Sequence, residues 1–238
     1  MTRHSRLPIF STLVTFLAVV IMFALGLWQL QRADEKKQRL MAIEQAAVSA
    51  PLTLSAAKEL QKAARDYPIQ LSGLADEQRY FLLDNKIQQG KVGYEVVVPV
   101  TTLQGRVLVN FGWVAAPRLR AELPDVQLPI IEDEYSGRVS IPLNNSLIKE
   151  TARFNQQWPK VMQQMDIALM AQHYQQDFLP FVVLLDPQEN VPYLRNWQPV
   201  VMPPEKHVAY AIQWFLLAFA ALITFVFAQR RKITRETQ

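Results

Sequence analysis

The chain has 238 residues, half of them hydrophobic, a formal net charge of +4 and no cysteine. Lacking thiols, it can form no disulfide, thiolate nucleophile, iron–sulfur centre or Cys-based zinc site. Of its 25 Lys/Arg and 21 Asp/Glu, the ends 1–6 and 229–238 hold six and one, leaving 19 and 20 between them. The interior is nearly neutral, and no basic stripe marks a nucleic-acid binder.

Residues 7–30 carry no charged side chain across 24 positions. At about 1.5 Å per residue that run crosses a ~30 Å hydrocarbon core. Arg3, Arg6 and the small residues around Ala24-Leu25-Gly26 loosely imitate a signal peptide. The apolar run, however, exceeds the roughly 7–15 residues of such a segment. An uncleaved anchor is the expectation. The helix should continue out of the bilayer through the charged stretch 31–47, where Asp34/Gln38 and Glu35/Arg39 are spaced i,i+4. Pro51-Leu52-Thr53-Leu54 breaks it, and a short helix over 55–65 follows, with Ser55 as its expected N-cap.

From Tyr67 the texture becomes β-rich. "YPIQLSG", "RYFLLD", "VGYEVVVPV", "RVLVNFGWV", "EYSGRVSIPL" and "FLPFVVLLD" read as strands, separated by turn signals at Gly73, Gln89-Gly90 and Gln104-Gly105. Gly112, inside a strand, suggests a bulge or a close backbone approach. Between the last two strands, "WPKVMQQMDIALMAQHYQQ" places Val161, Met165 and Leu169 at helical spacing, so one amphipathic helix is expected there. Met162 and Met165 read as core rather than as a soft copper(I) site. The acidic runs Asp76-Glu77 and Glu132-Asp133-Glu134 read as solvated loop charge. The proline-rich stretch 199–204 reads as a stiff connector.

A second uncharged run, 208–228, is stopped by Arg230, Arg231 and Lys232. The expected fold class is therefore an α+β membrane protein. Two transmembrane helices, 7–30 and 207–228, flank an antiparallel, β-rich, small barrel-like extracytoplasmic domain (31–206) with packed helices. The tails 1–6 and 229–238 are expected in the cytoplasm. Lys and Arg near the membrane tie at six on each side by raw count, but long domains cross largely regardless of charge, so the tails decide.

There is no Gly-x-Ser-x-Gly elbow, phosphate loop or His-x-x-x-His pair, so no enzyme is expected. The histidine that opens the last helix is the feature to explain. His207, Tyr210 and Trp214 are spaced 3 and 4 apart and share one helix face. An imidazole above two aromatics at a bilayer rim could receive a flat, iron-bearing ring. The same Tyr and Trp also suit an ordinary interfacial aromatic belt. Trp28, Gln29 and Arg32 leave the first helix on the same side, and Arg32 could hold an acidic group or snorkel toward headgroups.

Four ordered stretches carry a resemblance: Gly26-x-Trp28-Gln29-x-x-Arg32, "GYEVVVPV", "VLVNFGWV" and "PEKHVAYAIQWF". Together they resemble the surfeit locus protein 1 family over nearly the whole chain. Phe111 stands where that pattern commonly has Arg, and Lys86 where Arg is common. The resemblance implies a bacterial-type inner-membrane assembly factor for haem–copper cytochrome c oxidase, assisting delivery of haem a to the catalytic subunit. It implies the catalytic subunit and haem a synthase as partners. It also implies His207 as the haem-iron ligand, with Tyr210, Trp214, Trp28, Gln29 and Arg32 around the cofactor. A cofactor-free scaffold for an oxidase subunit is the alternative.

Overall fold

The structure is a computed structural model that describes residues 7–119, 122–128, 134–143, 145, 147–150, 157–189, 191–198 and 200–236. It divides into two compact units, one formed by 1–42 with 198–238 and the other by 43–197.

The first unit is built on α1 (Leu7–Ala47) and the C-terminal helix Pro204–Glu236. Both contain stretches long and apolar enough to cross a membrane, Ile9–Ala47 and Pro204–Arg230. The charged half of α1 is helical, as expected, and Gln38 Nε2 donates to Asp34 Oδ2 at 2.7 Å. The two helices touch through Phe23 and Phe215, whose ring centroids lie 5.2 Å apart. Contacts of Phe23 and Gly26 with Phe215, and of Gln29 with His207, pair later α1 residues with earlier residues of its partner, so the helices run antiparallel. At Gly26 the Phe215 ring lies where a Cβ would stand. Small residues of this kind let apolar helices approach closely.

The second unit opens with α2 (Leu54–Leu60) and a 3-10 turn, Gln61–Ala64. Its N-cap is Thr53, whose hydroxyl accepts from the Ala56 amide, and not Ser55 as expected. The helix begins at Leu54, which is drawn into the core, so the cap falls two residues before Ser55.

All six expected strands form. They are β1 (Pro68–Ser72), β3 (Phe81–Gln88), β4 (Lys91–Thr102), β5 (Gly105–Ala115), β6 (Glu134–Ser140) and β8 (Val182–Leu185). Two short ones join them, β2 (Leu74–Ala75) and β7 (Lys160–Met162). The strand order is β1-β6-β8-β5-β4-β3-β7, with β2 on β4. β1 lies on β6, while β2, one residue further along the chain, lies on β4. The chain turning at Gly73 thus links the two sides, and the sheet curls into a partly closed barrel. The antiparallel expectation needs correction: β3 with β7 and β5 with β8 are parallel pairs, so the sheet is mixed.

The expected helix over 158–176 also needs correction. Only α3 (Ile167–Tyr174) is helical, N-capped by the Asp166 carboxylate accepting from Leu169 N. The segment before it pairs with β3 as β7, because Lys160 and Met162 are buried there. The pattern 161, 165, 169 mimicked a helical face without being one. The methionines are core, as expected: Met162 is fully buried, and Met165 packs against the same cluster.

Inside the curl, Val96, Val98, Val107, Val109, Phe111 and Val183 belong to one core. On the other side of the sheet, Phe81, Leu83, Val97 and Leu108 pack with Met162 and Met170. β4 and β5 are buried on both faces, which explains their near-continuous apolar runs. Phe111 stands at the centre of this core, edge-on to Tyr135 and Tyr193, so an apolar side chain is the fitting one there.

Gly112 is a bulge, as expected. Val96 pairs with Gly112 and Val97 with Asn110, so Phe111 is the extra residue, and Gly112 has φ +125. The bulge turns the Phe111 carbonyl toward Arg195, whose Nε donates to it at 2.9 Å. Nη1 of the same buried Arg195 donates to Asp186 O at 2.9 Å. A guanidinium thus satisfies backbone that the irregular sheet leaves exposed.

Candidate functional site

The helix pair brings together two residues 178 positions apart. His207 Nδ1 lies 2.7 Å from Gln29 Oε1. His207 is only 7% exposed, and its buried Nε2 has no hydrogen-bond partner among the described residues. The Gln29 oxygen can only accept, so Nδ1 carries the proton and Nε2 keeps a lone pair. Leaving such an acceptor unmatched costs about 1–3 kcal/mol. A metal ion bound through Nε2 would use that lone pair. Ligating histidines commonly donate their other N–H to an oxygen in this way. Among the described residues, no group of three or more His, Asp or Glu gathers to hold a metal ion. The site therefore offers a single imidazole nitrogen rather than the several ligands of a protein-caged metal ion.

The other expected site residues divide into two sets. The Arg32 guanidinium lies 5.7 Å from the centroid of the Trp28 ring, a cation–π distance, and its Nη1 is 2.6 Å from Glu35 Oε2. That pair is roughly half exposed, so a carboxylate arriving from outside can compete for Arg32. Tyr210 is 46% exposed and Trp28 47%, while Trp214 is half-buried. The shared face expected for 207, 210 and 214 is thus split: His207 turns inward toward α1, and Tyr210 looks outward. A spacing of 3 leaves residues about 60° apart around a helix, enough to divide them between a packed and an open side.

The chain has two further histidines. His173 is buried on α3, where burial first and the Lys160 charge second push its pKa below the ordinary imidazole value. His4 lies outside the described residues.

Sequence reasoning missed a polar cluster in the second unit. Asp76, expected as solvated loop charge, accepts from Tyr174 OH at 2.7 Å and from Arg79 Nε at 2.8 Å through Oδ2. Its Oδ1 accepts from the Gln78 and Arg79 amides. The five residues between β2 and β3 fold back onto α3, which is why the charge is engaged. Arg79 also stacks over the Tyr174 ring at 4.3 Å. Burial alone would push the Asp76 carboxyl up, but hydrogen bonds from Tyr174 and Arg79, with the Arg79 charge, outweigh it and hold the pKa below the ordinary value. Tyr174 is pushed up to about 12, by burial first and then by its bond to Asp76. This cluster ties a loop to a helix. Glu134 opens β6, whereas Glu132 and Asp133 lie outside the described residues.

The profile of the SURF1 family matches residues 16–219. The chain is 22% identical over 233 residues to a SURF1-like protein of Rickettsia felis, covering 94% of this chain and 99% of that one. It is 24% identical over 235 residues to a SURF1-like protein of Rickettsia conorii, covering 92% and 90%. With a SURF1-like protein of Dictyostelium discoideum it shares 30% identity over 120 residues, covering 46% and 44%. The matched span takes in most of the first long apolar helix, the curled sheet, the first half of the last helix and the Gln29–His207 pair, and by that match the chain belongs to the SURF1 family, known generally as cytochrome oxidase assembly factors.

Proposed function

We propose that this chain is an inner-membrane assembly factor that holds haem a for insertion into the catalytic subunit of cytochrome c oxidase, with His207 as the iron ligand. Both termini lie in the cytoplasm and the barrel lies in the periplasm, because the short basic tails hold six Lys/Arg against one acid. The single observation that carries the ligand assignment is that, among the described residues, Nε2 of His207 has no partner while its Nδ1 is held by Gln29. Haem a supplies an iron centre that accepts an imidazole nitrogen, two acidic groups and a hydrocarbon tail. Trp28, Tyr210 and Trp214 would offer ring surface, and Arg32 would take an acidic group in exchange for Glu35. The catalytic subunit receives the haem, and haem a synthase supplies it.

The absorbance spectrum of the full chain, purified from cells that make haem a, tests this reading. A bound haem a whose bands shift or vanish in His207→Ala, together with a lower oxidase yield, is expected. A haem spectrum and oxidase yield unchanged in that variant would overturn it. Two observations favour the cofactor-free scaffold instead: Arg32 already has an acidic partner, and Nε2 is covered. The scaffold reading predicts colourless protein that still supports oxidase assembly.

A further inference from the structure

A neutral imidazole has two tautomers, and only one leaves Nε2 with a lone pair. Nothing in the imidazole itself fixes that choice; its surroundings do. Gln29 Oε1, at 2.7 Å from Nδ1, is an acceptor, and it stands on the other helix of the pair. Among the described residues Nε2 has no partner that could compete for the proton. Gly26 lies one turn earlier on α1, where the absence of a side chain admits Phe215. The close approach of the helices and the Gln29–His207 bond therefore belong to one packed contact.

We propose that Gln29 is a positioning residue: it fixes the Nδ1-protonated tautomer of His207 and so keeps Nε2 ready to bind metal, without touching the ligand itself. The inference rests on the haem reading above for what Nε2 binds, but the tautomer is a property of the protein alone. It changes the expected role of Gln29, which the sequence placed around the cofactor. It also assigns a division of labour within Trp28-Gln29-x-x-Arg32. Trp28 and Arg32 face outward together, and Gln29 faces the partner helix.

The test uses the full chain in lipid nanodiscs with its histidine rings labelled by ¹⁵N, the His207 signals being assigned by their loss in His207→Ala. In the ligand-free wild type, Nδ1 should give a protonated and Nε2 an unprotonated nitrogen signal. Gln29→Met keeps the length but removes the acceptor, and should mix or invert the two. Gln29→Glu restores an acceptor and should restore the wild-type pattern, which separates positioning from loss of packing. Haem a titration is the second readout. Gln29→Met should bind about 10–100-fold more weakly, the usual effect of losing a ligand's hydrogen-bond partner, and Gln29→Glu should recover. A protonated Nε2 in the wild type would overturn the inference. So would a Gln29→Met protein with an unchanged tautomer, or one with a changed tautomer and undiminished affinity. If His207→Ala binds haem a as well as the wild type, it is the haem reading that fails, and the nitrogen signals still decide what Gln29 does.

Discussion

Replacing Gly112 by Val tests the bulge that shapes the barrel wall. At φ +125 a β-branched residue is strained by about 1–3 kcal/mol. A Cβ there would stand 2.9 Å from Tyr193 Cβ, 3.0 Å from Arg195 Cγ and 3.1 Å from Leu194 O. The segment 193–195 cannot yield without disturbing the two bonds between Trp113 and Leu194, each 2.9 Å. At about 0.5–1.5 kcal/mol per bond, their loss brings the total to roughly 4 kcal/mol. For a unit the size of 43–197, that lowers the melting midpoint by about 10 °C. Thermal unfolding of the full chain in detergent, followed by near-ultraviolet dichroism, measures the shift, and hydrogen exchange at the Trp113 and Leu194 amides localises it. An unchanged midpoint, with both amides still protected, would refute the reasoning.

Three further outcomes follow from the geometry. The depressed pKa of Asp76 makes its stabilisation complete above the ordinary carboxylate range and lost as pH falls through the lower, folded value. Asp76→Asn should therefore be less stable than the wild type at pH 7, and the gap should narrow below about pH 4 in pH-dependent melts. Gly26→Leu forces a side chain into the Phe215 ring, so the helix pair should part and a disulfide engineered across it by paired Cys substitutions near 29 and 207 should form less readily than in the Gly26 parent. A periplasm-only reporter inserted at Leu103, the fully exposed tip between β4 and β5, should be active, and the same reporter fused after Gln238 should be silent; the reverse would invert the proposed topology.

Much of the fold was legible because β4 and β5 carry long β-branched runs closed by turn residues, and because two uncharged stretches of membrane length stand alone. What was not legible has physical causes. β7 is three residues long, too short to show a period, and its apolar positions extended the pattern of α3 backward. Asp166, immediately before Ile167, was the N-cap signal that would have placed the helix start correctly. Parallel pairing of β8 with β5 depends on where the chain returns, which no local pattern records. Arg195 carries no local signal of its role, since its partner is a carbonyl turned toward it by the bulge 84 residues earlier. At the candidate site, His207, Gln29 and Trp28 were singled out individually. That Gln29 would meet His207 depended on how the helices pack, whereas Arg32 over Trp28 follows from their i,i+4 spacing on α1.

The most direct test of the central claim is pulsed electron–nuclear spectroscopy of the haem-loaded full chain with its histidines labelled by ¹⁵N. One strongly coupled histidine nitrogen on the iron is expected, absent in His207→Ala and retained in His173→Asn. Loaded haem with no coupled histidine nitrogen, or with a coupling that survives His207→Ala, would contradict it.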